Sequence, residues 1–183
     1  MGKHGSNNNE KLLDRVVVTV KATVEHDAKV SGEATVRGRA WIYGAAIVEG
    51  QAVVMGQARI CGNARITGDA VAMDDAFCGD DSVVMDRAVV RARARIIGRA
   101  TVGGQATVAG QAIVEDAAKV EGKTFVGGRA RICGNAIIKG SATIGGQAKI
   151  KGGTWDGWEG PVTHGEWCCP KDFMAWKDAN GIS

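Results

Sequence analysis

The heptapeptide ARICGNA occupies Ala58–Ala64 and returns letter for letter at Ala130–Ala136, 72 residues later. Within each copy a small residue, an aliphatic residue and a glycine stand two positions apart. Stepping outward by six residues finds the same three positions again. From Val18 to Ile150, 21 of 23 such positions are Val or Ile, the exceptions being Ala72 and Cys78. Two residues earlier, between Ala22 and Thr154, Ala fills 20 of 23 positions, with Ser82, Thr124 and Thr154 as the others. Two residues after the aliphatic, from Gly32 to Gly152, Gly fills 16 of 21. The unit is therefore A-x-V-x-G-x. Alternation at period two puts the small and aliphatic residues on one side of a short strand. The β-branched residue suits a strand, and Gly allows a corner with positive φ. A strand and a corner every six residues, with no hairpin, wind the chain into parallel stacked coils around a continuous Val/Ile/Ala column. Helix is excluded, because a six-residue period with Gly in each unit is neither 3.6-periodic nor helix-forming.

This pattern resembles the hexapeptide-repeat family, the trimeric acyltransferase-like left-handed β-helix proteins. The all-Ala version is similar to the GNA/GDA-type repeat proteins of bacteria and their phages. The resemblance implies an all-β, single-stranded left-handed parallel β-helix with three hexads, 18 residues, per coil. It also implies a homotrimer. About seven coils, ~35 Å by strand spacing, are then expected over 18–154. They lie between a flexible N-terminal segment and cap at 1–17 and a Trp-rich C-terminal cap at 155–183. The stretch NNNEKLLDR at 7–15 is expected to make a helical turn over the first coil. Four of the five tryptophans fall in the C-terminal segment: Trp155, Trp158, Trp167 and Trp176. There PKDFMAWKDANG reads as a short helix with Pro170 in its first turn and Gly181 after its end. A solenoid's last coil exposes core and unpaired strand edge, which is what such a cap covers.

In an 18-residue coil the corner residues stack as Asp69 over Arg87, Asp75 over Arg93 and Asp81 over Arg99. A 12-residue coil loses this match. The three are expected as structural ion pairs that fix register. Gly is lost at four successive corners, Asp74, Asp80, Asp86 and Ala92; Asp tolerates the left-handed conformation. These aspartates sit at different corners of a triangular prism, so they share no metal site.

Two outer faces stand out. One carries Thr35, Val53, Val71, Val89, Thr107, Phe125 and Thr143, beside Met55 and Met73. Such a stripe calls for cover, so Val53, Val71, Val89, Phe125, Met55 and Met73 are the expected self-association surface. The other carries Trp41, Arg59, Phe77, Arg95, Ile113, Arg131 and Lys149, flanked by Tyr43, Cys61, Cys133 and Lys151. Arg59, Arg95 and Arg131 with Trp41 and Phe77 are the candidate binding residues for a small, phosphate-bearing anion.

The composition narrows the function. Of the histidines, His4, His26 and His164, none has the surroundings expected of the family's catalytic histidine, and their wide separation makes a poor zinc set. His164 alone remains as a candidate general base. Neither metal nor cofactor is expected. Five cysteines without paired spacing suit a reducing compartment, and Cys78 is expected in the core. No long apolar run suggests a membrane span, and the segment at 1–10 has no apolar leader core, so a cytoplasmic protein is expected. A net charge of +3 without a nucleic-acid module argues against a nucleic-acid partner. The expectation is a non-enzymatic, homo-oligomeric scaffold or binding protein. The alternatives are an acyltransferase-like enzyme using an acyl-CoA donor, and sequestration of a nucleotide-type anion between subunits.

Overall fold

The computed structural model describes residues 15–19 and 21–182. His4 and nearly all of the expected N-terminal turn at 7–15 lie outside them. The chain is a parallel β-solenoid of three sheets, with eight, nine and eight strands. Every strand is two residues long. The first sheet runs from Val17–Val18 through Val71–Ala72 to Thr143–Ile144. The second runs from Thr23–Val24 through Phe77–Cys78 to Glu166–Trp167. The third runs from Lys29–Val30 to Thr154–Trp155.

Among the strands up to Lys149–Ile150, each strand residue pairs with the one 18 further on, as in Val53 with Val71 and Val71 with Val89. The heptapeptide shows how a hexad is held. Arg59 N–H donates to the Ala76 carbonyl at 2.9 Å, Cys61 to Cys78 at 2.9 Å and Asn63 to Asp80 at 2.8 Å. From Val36 on the inward column is buried: Ile60 and Ile132 are 0% exposed, as are the Ala72 and Cys78 exceptions, whereas Val18 in the first coil is 45% exposed. Burial pushes the Cys78 thiol up to about 12, so it stays protonated at neutral pH. Ser82 and Thr124, which replace Ala, carry their hydroxyls into the core without a partner.

The corners depend on the left-handed backbone region. Gly56 has φ +73°, and a Cβ there would meet the Asp74 amide nitrogen at 2.7 Å. Asp74, Asp80, Asp86 and Ala92 hold the same conformation at +61°, +57°, +59° and +60°, and so does Asp116 at +59°. The aspartates turn this crowding into a bond. Their Oδ2 atoms accept the N–H of the corner residue one coil on. Asp74 accepts from Ala92 at 3.0 Å, Asp80 from Gly98 at 2.9 Å, Asp86 from Gly104 at 2.8 Å and Asp116 from Gly134 at 2.8 Å.

The expected ion pairs stack in register, since Asp69, Asp75 and Asp81 donate their N–H to Asp86, Ala92 and Gly98. Their side chains mostly do something else. Among the described residues, Arg93 Nε comes within 4.0 Å of Asp75 Oδ2. Asp69 with Arg87 and Asp81 with Arg99 form no such contact. Asp81 instead accepts a hydrogen bond from Asn63 Nδ2 at 2.8 Å. An exposed pair gains too little in water to hold two mobile side chains together.

About eight turns form rather than seven, because the C-terminal segment continues the stack. Register shortens there by one residue. Ile137 pairs with Thr154 and Ile138 with Trp155, a step of 17. Thr154, expected in the small inward column, therefore faces out, and Trp155 enters the core at 0% exposure. Val162 bridges Ile144, and Trp167 pairs with Ile150. Trp155, Val162 and Trp167 thus occupy the three interior positions of the last turn. The helix Pro170–Ala179 follows. Its Phe173 packs against Trp155 and Trp167, with ring centroids 6.0 and 5.2 Å apart. Trp176 stacks on Phe173. Trp158 is outside this cluster and 65% exposed.

The corner bonds predict opposite outcomes for two substitutions. Asp80→Ala leaves a strained φ and removes the bond to Gly98, and should destabilise the fold by about 1–2 kcal/mol. Ala92→Gly relieves strain and should stabilise it by roughly 0.5–1 kcal/mol. Urea unfolding followed by circular dichroism, with the wild type alongside, checks both.

Candidate functional site

The second sheet carries the site. Its outward residues Trp41, Arg59, Phe77 and Arg95 come from four successive parallel strands. Beside them run the corner residues Arg39, Gln57, Asp75 and Arg93. Together these eight line a groove of about 700 Å³. The groove lies along the solenoid axis because the register stacks every 18th residue. Sequence reading placed Trp41, Arg59, Phe77 and Arg95 here. It did not place Arg39 and Gln57, although both precede second-sheet strands by two residues and so share that sheet's edge.

Phe77 organises the groove. The Arg59 and Arg95 guanidinium carbons sit over its ring at 5.8 and 5.1 Å from the centroid. Such cation–π contacts hold both cations in place. Gly79 makes room for the ring, because a Cβ there would stand 2.7 Å from Phe77 Cε1. This accounts for the glycine directly after Cys78. Trp41 stays 41% exposed, with its ring packed at 4.6 Å on Tyr43. The Tyr43 hydroxyl is held above its ordinary pKa, chiefly by its hydrogen bond with Cys61.

Arg131 is not brought to this groove. It shares the sheet face, but Ile113 separates it from Arg95, and Glu115 holds it in an ion pair. That contact raises the Arg131 pKa further. Arg131 lines a smaller cleft of about 360 Å³ with Glu115, Asp116, Cys133, Lys149 and Lys151. Donor atoms of Glu115, Asp116 and Cys133 there lie within 4.8 Å of one another. Each already has a partner: Glu115 the Arg131 side chain, Asp116 the Gly134 N–H, and Cys133 Sγ the Ile150 carbonyl at 3.5 Å. Burial and the Glu115 charge raise the Cys133 pKa.

His164 lies at the cap. Its Nδ1 is 3.2 Å from the neighbouring Thr163 Oγ1, and its ring meets Trp176 edge-on at 4.8 Å. It lines a shallow depression with Gly146, Gln147, Lys149, Thr163, Gly165 and Glu166. Lys149 and Lys151 flank Glu166 and hold its carboxyl below the ordinary value, Lys151 foremost. His26 occupies a left-handed corner at φ +58° in the first coil, largely exposed and 3.9 Å from Glu25.

On the first sheet, Val53, Val71 and Val89 stack in register with Thr35, Thr107, Phe125 and Thr143. Met55 and Met73 stand alongside, and Phe125 is 40% exposed. Among the described residues, no helix is long and apolar enough to cross a membrane.

Coil, register and corner together define a β-solenoid repeat protein. Residues 58–73 and 130–146 match the family model described as the YdcK beta solenoid repeat, and each match begins at a copy of the opening heptapeptide. No curated protein matches the chain.

The thiols report on this arrangement. In the native protein at pH 8, iodoacetamide should alkylate the exposed Cys168 and leave Cys78 unmodified, while all five cysteines react in denaturant. Peptide mass mapping reads the difference, and native labelling of Cys78 would contradict the buried column.

Proposed function

We propose that the protein is a non-enzymatic binding scaffold: a rigid β-solenoid presenting the second-sheet groove to an anionic ligand. The supporting observation is the pair Arg59 and Arg95, held over Phe77 in a groove that also contains Arg39 and Arg93. Four arginines against the single carboxylate of Asp75 make the groove a local concentration of positive charge on a chain whose net charge is only +3. Guanidinium groups bind phosphate and carboxylate in a bidentate manner. The free cysteines fit a reducing compartment, and the cytoplasm is the proposed location.

Inorganic tripolyphosphate is the simplest probe of the groove. Isothermal titration calorimetry should show binding that weakens with added salt and is abolished in Arg59→Glu and Arg95→Glu. Absence of binding by the wild type would remove the anion-site reading. Transfer of an acetyl group from acetyl-CoA to an amine or alcohol by the pure protein, lost in His164→Ala, would replace it with the acyltransferase reading.

Self-association through the first sheet completes the proposal. The Val53–Val71–Val89 stripe with Met55 and Met73 is apolar and continuous, and the resemblance to hexapeptide-repeat chains implies three copies. Native mass spectrometry should report a trimer for the wild type and a monomer for the Val71→Asp, Val89→Asp double variant. A monomeric wild type would overturn this part.

A further inference from the structure

We propose that the second-sheet groove takes a nucleoside polyphosphate, laid along the solenoid axis with its base on Trp41 and its phosphates at Arg93 and Arg95. The inference rests on the anion-site reading and adds the chemical class of the ligand.

The two ends of the groove differ in chemistry. At one end stands an exposed indole, braced on Tyr43 and neighboured by Arg39 and the Gln57 amide. An indole face stacks on an aromatic base, and an amide offers both donors and an acceptor to a base edge. At the other end stand Arg93 and Arg95. Trp41 and Arg95 are three strand spacings apart by register, which is ~14 Å. An extended nucleotide places its outer phosphate at a comparable distance from its base. Arg59 lies between, where the sugar and first phosphate would pass.

Charge and order point the same way. The eight lining residues carry four arginines and one aspartate, a formal +3, facing a ligand charged at each phosphate. Arg59 and Arg95 are already held by Phe77, so ordering them adds little to the cost of binding. The same contacts argue against a nucleic-acid strand. Successive bases need successive platforms, and Phe77 is engaged by arginines from the strands on either side. Trp41 is the one ring in the groove left to stack. A bare polyphosphate would leave the face of the indole away from Tyr43 uncovered.

Calorimetry of the full chain with ATP, CTP and inorganic tripolyphosphate tests the proposal. The nucleotides should bind about tenfold or more tightly than tripolyphosphate, the scale of one base stacked on an aromatic ring. Trp41→Ala should erase that advantage, and Trp41→Phe should retain most of it. Asp75→Asn should strengthen binding of all three. Equal affinities in the wild type, a Trp41→Ala variant that still prefers nucleotides, or tighter binding of a short oligo-dT strand would each overturn the nucleotide assignment alone. Failure of tripolyphosphate and nucleotides alike would bring down the anion-site reading beneath it.

Discussion

Everything in this molecule depends on turning the chain sharply every six residues. A two-residue strand has too few hydrogen bonds to stand alone. It persists because the strand 18 residues away lies in parallel register beside it, and a left-handed corner follows each strand from Thr23–Val24 to Thr143–Ile144. The cost is carried by glycine where the backbone must be bare, as at Gly56. At Asp74, Asp80, Asp86 and Asp116 it is offset by a carboxylate that reaches the next coil's amide. The corner aspartates are thus structural groups, and their carboxylates point along the stack rather than to a shared ligand.

The repeat made the fold legible because one physical rule acts at each step. Inward Val and Ile, small Ala and corner Gly can be read singly, and register follows from stacking them. The C-terminal turn escaped that reading for a definite reason. Shortening the spacing by one residue exchanges the inward and outward faces at the strands Thr154–Trp155 and Glu166–Trp167, while Val162 keeps the 18-residue step from Ile144. Thr154 stood in the small inward column and Trp155 in the cap, whereas the structure turns Thr154 outward and buries Trp155 in the core. No single residue announces the shortening, although the pair Gly152–Gly153 stands where it occurs.

The candidate site was legible to the extent that it lies on strands. Trp41, Arg59, Phe77 and Arg95 fall in one column of the repeat, so the sequence brings them together. Arg39, Gln57, Asp75 and Arg93 belong to a corner column, and their part in the groove emerges when corner and strand are seen as adjoining edges. Side-chain pairing was the least legible layer. Arg131 belongs to the right column but is taken by Glu115, and Asp81 prefers Asn63 to Arg99. Both choices depend on rotamers that a periodic pattern leaves open.

The shortened last turn has a consequence for the length of the particle. A stack of equivalent coils offers the same template at its end as at every layer within it, so nothing in the repeat limits growth. Trp155 and Trp167 fill the final interior positions with side chains larger than any in the regular column, and the helix bearing Phe173 lies across them. A further coil, from this chain or another, would meet indole and phenyl rings where its Val and Ala require a flat bed of backbone. The aromatic turn therefore closes this end of the stack to further parallel pairing.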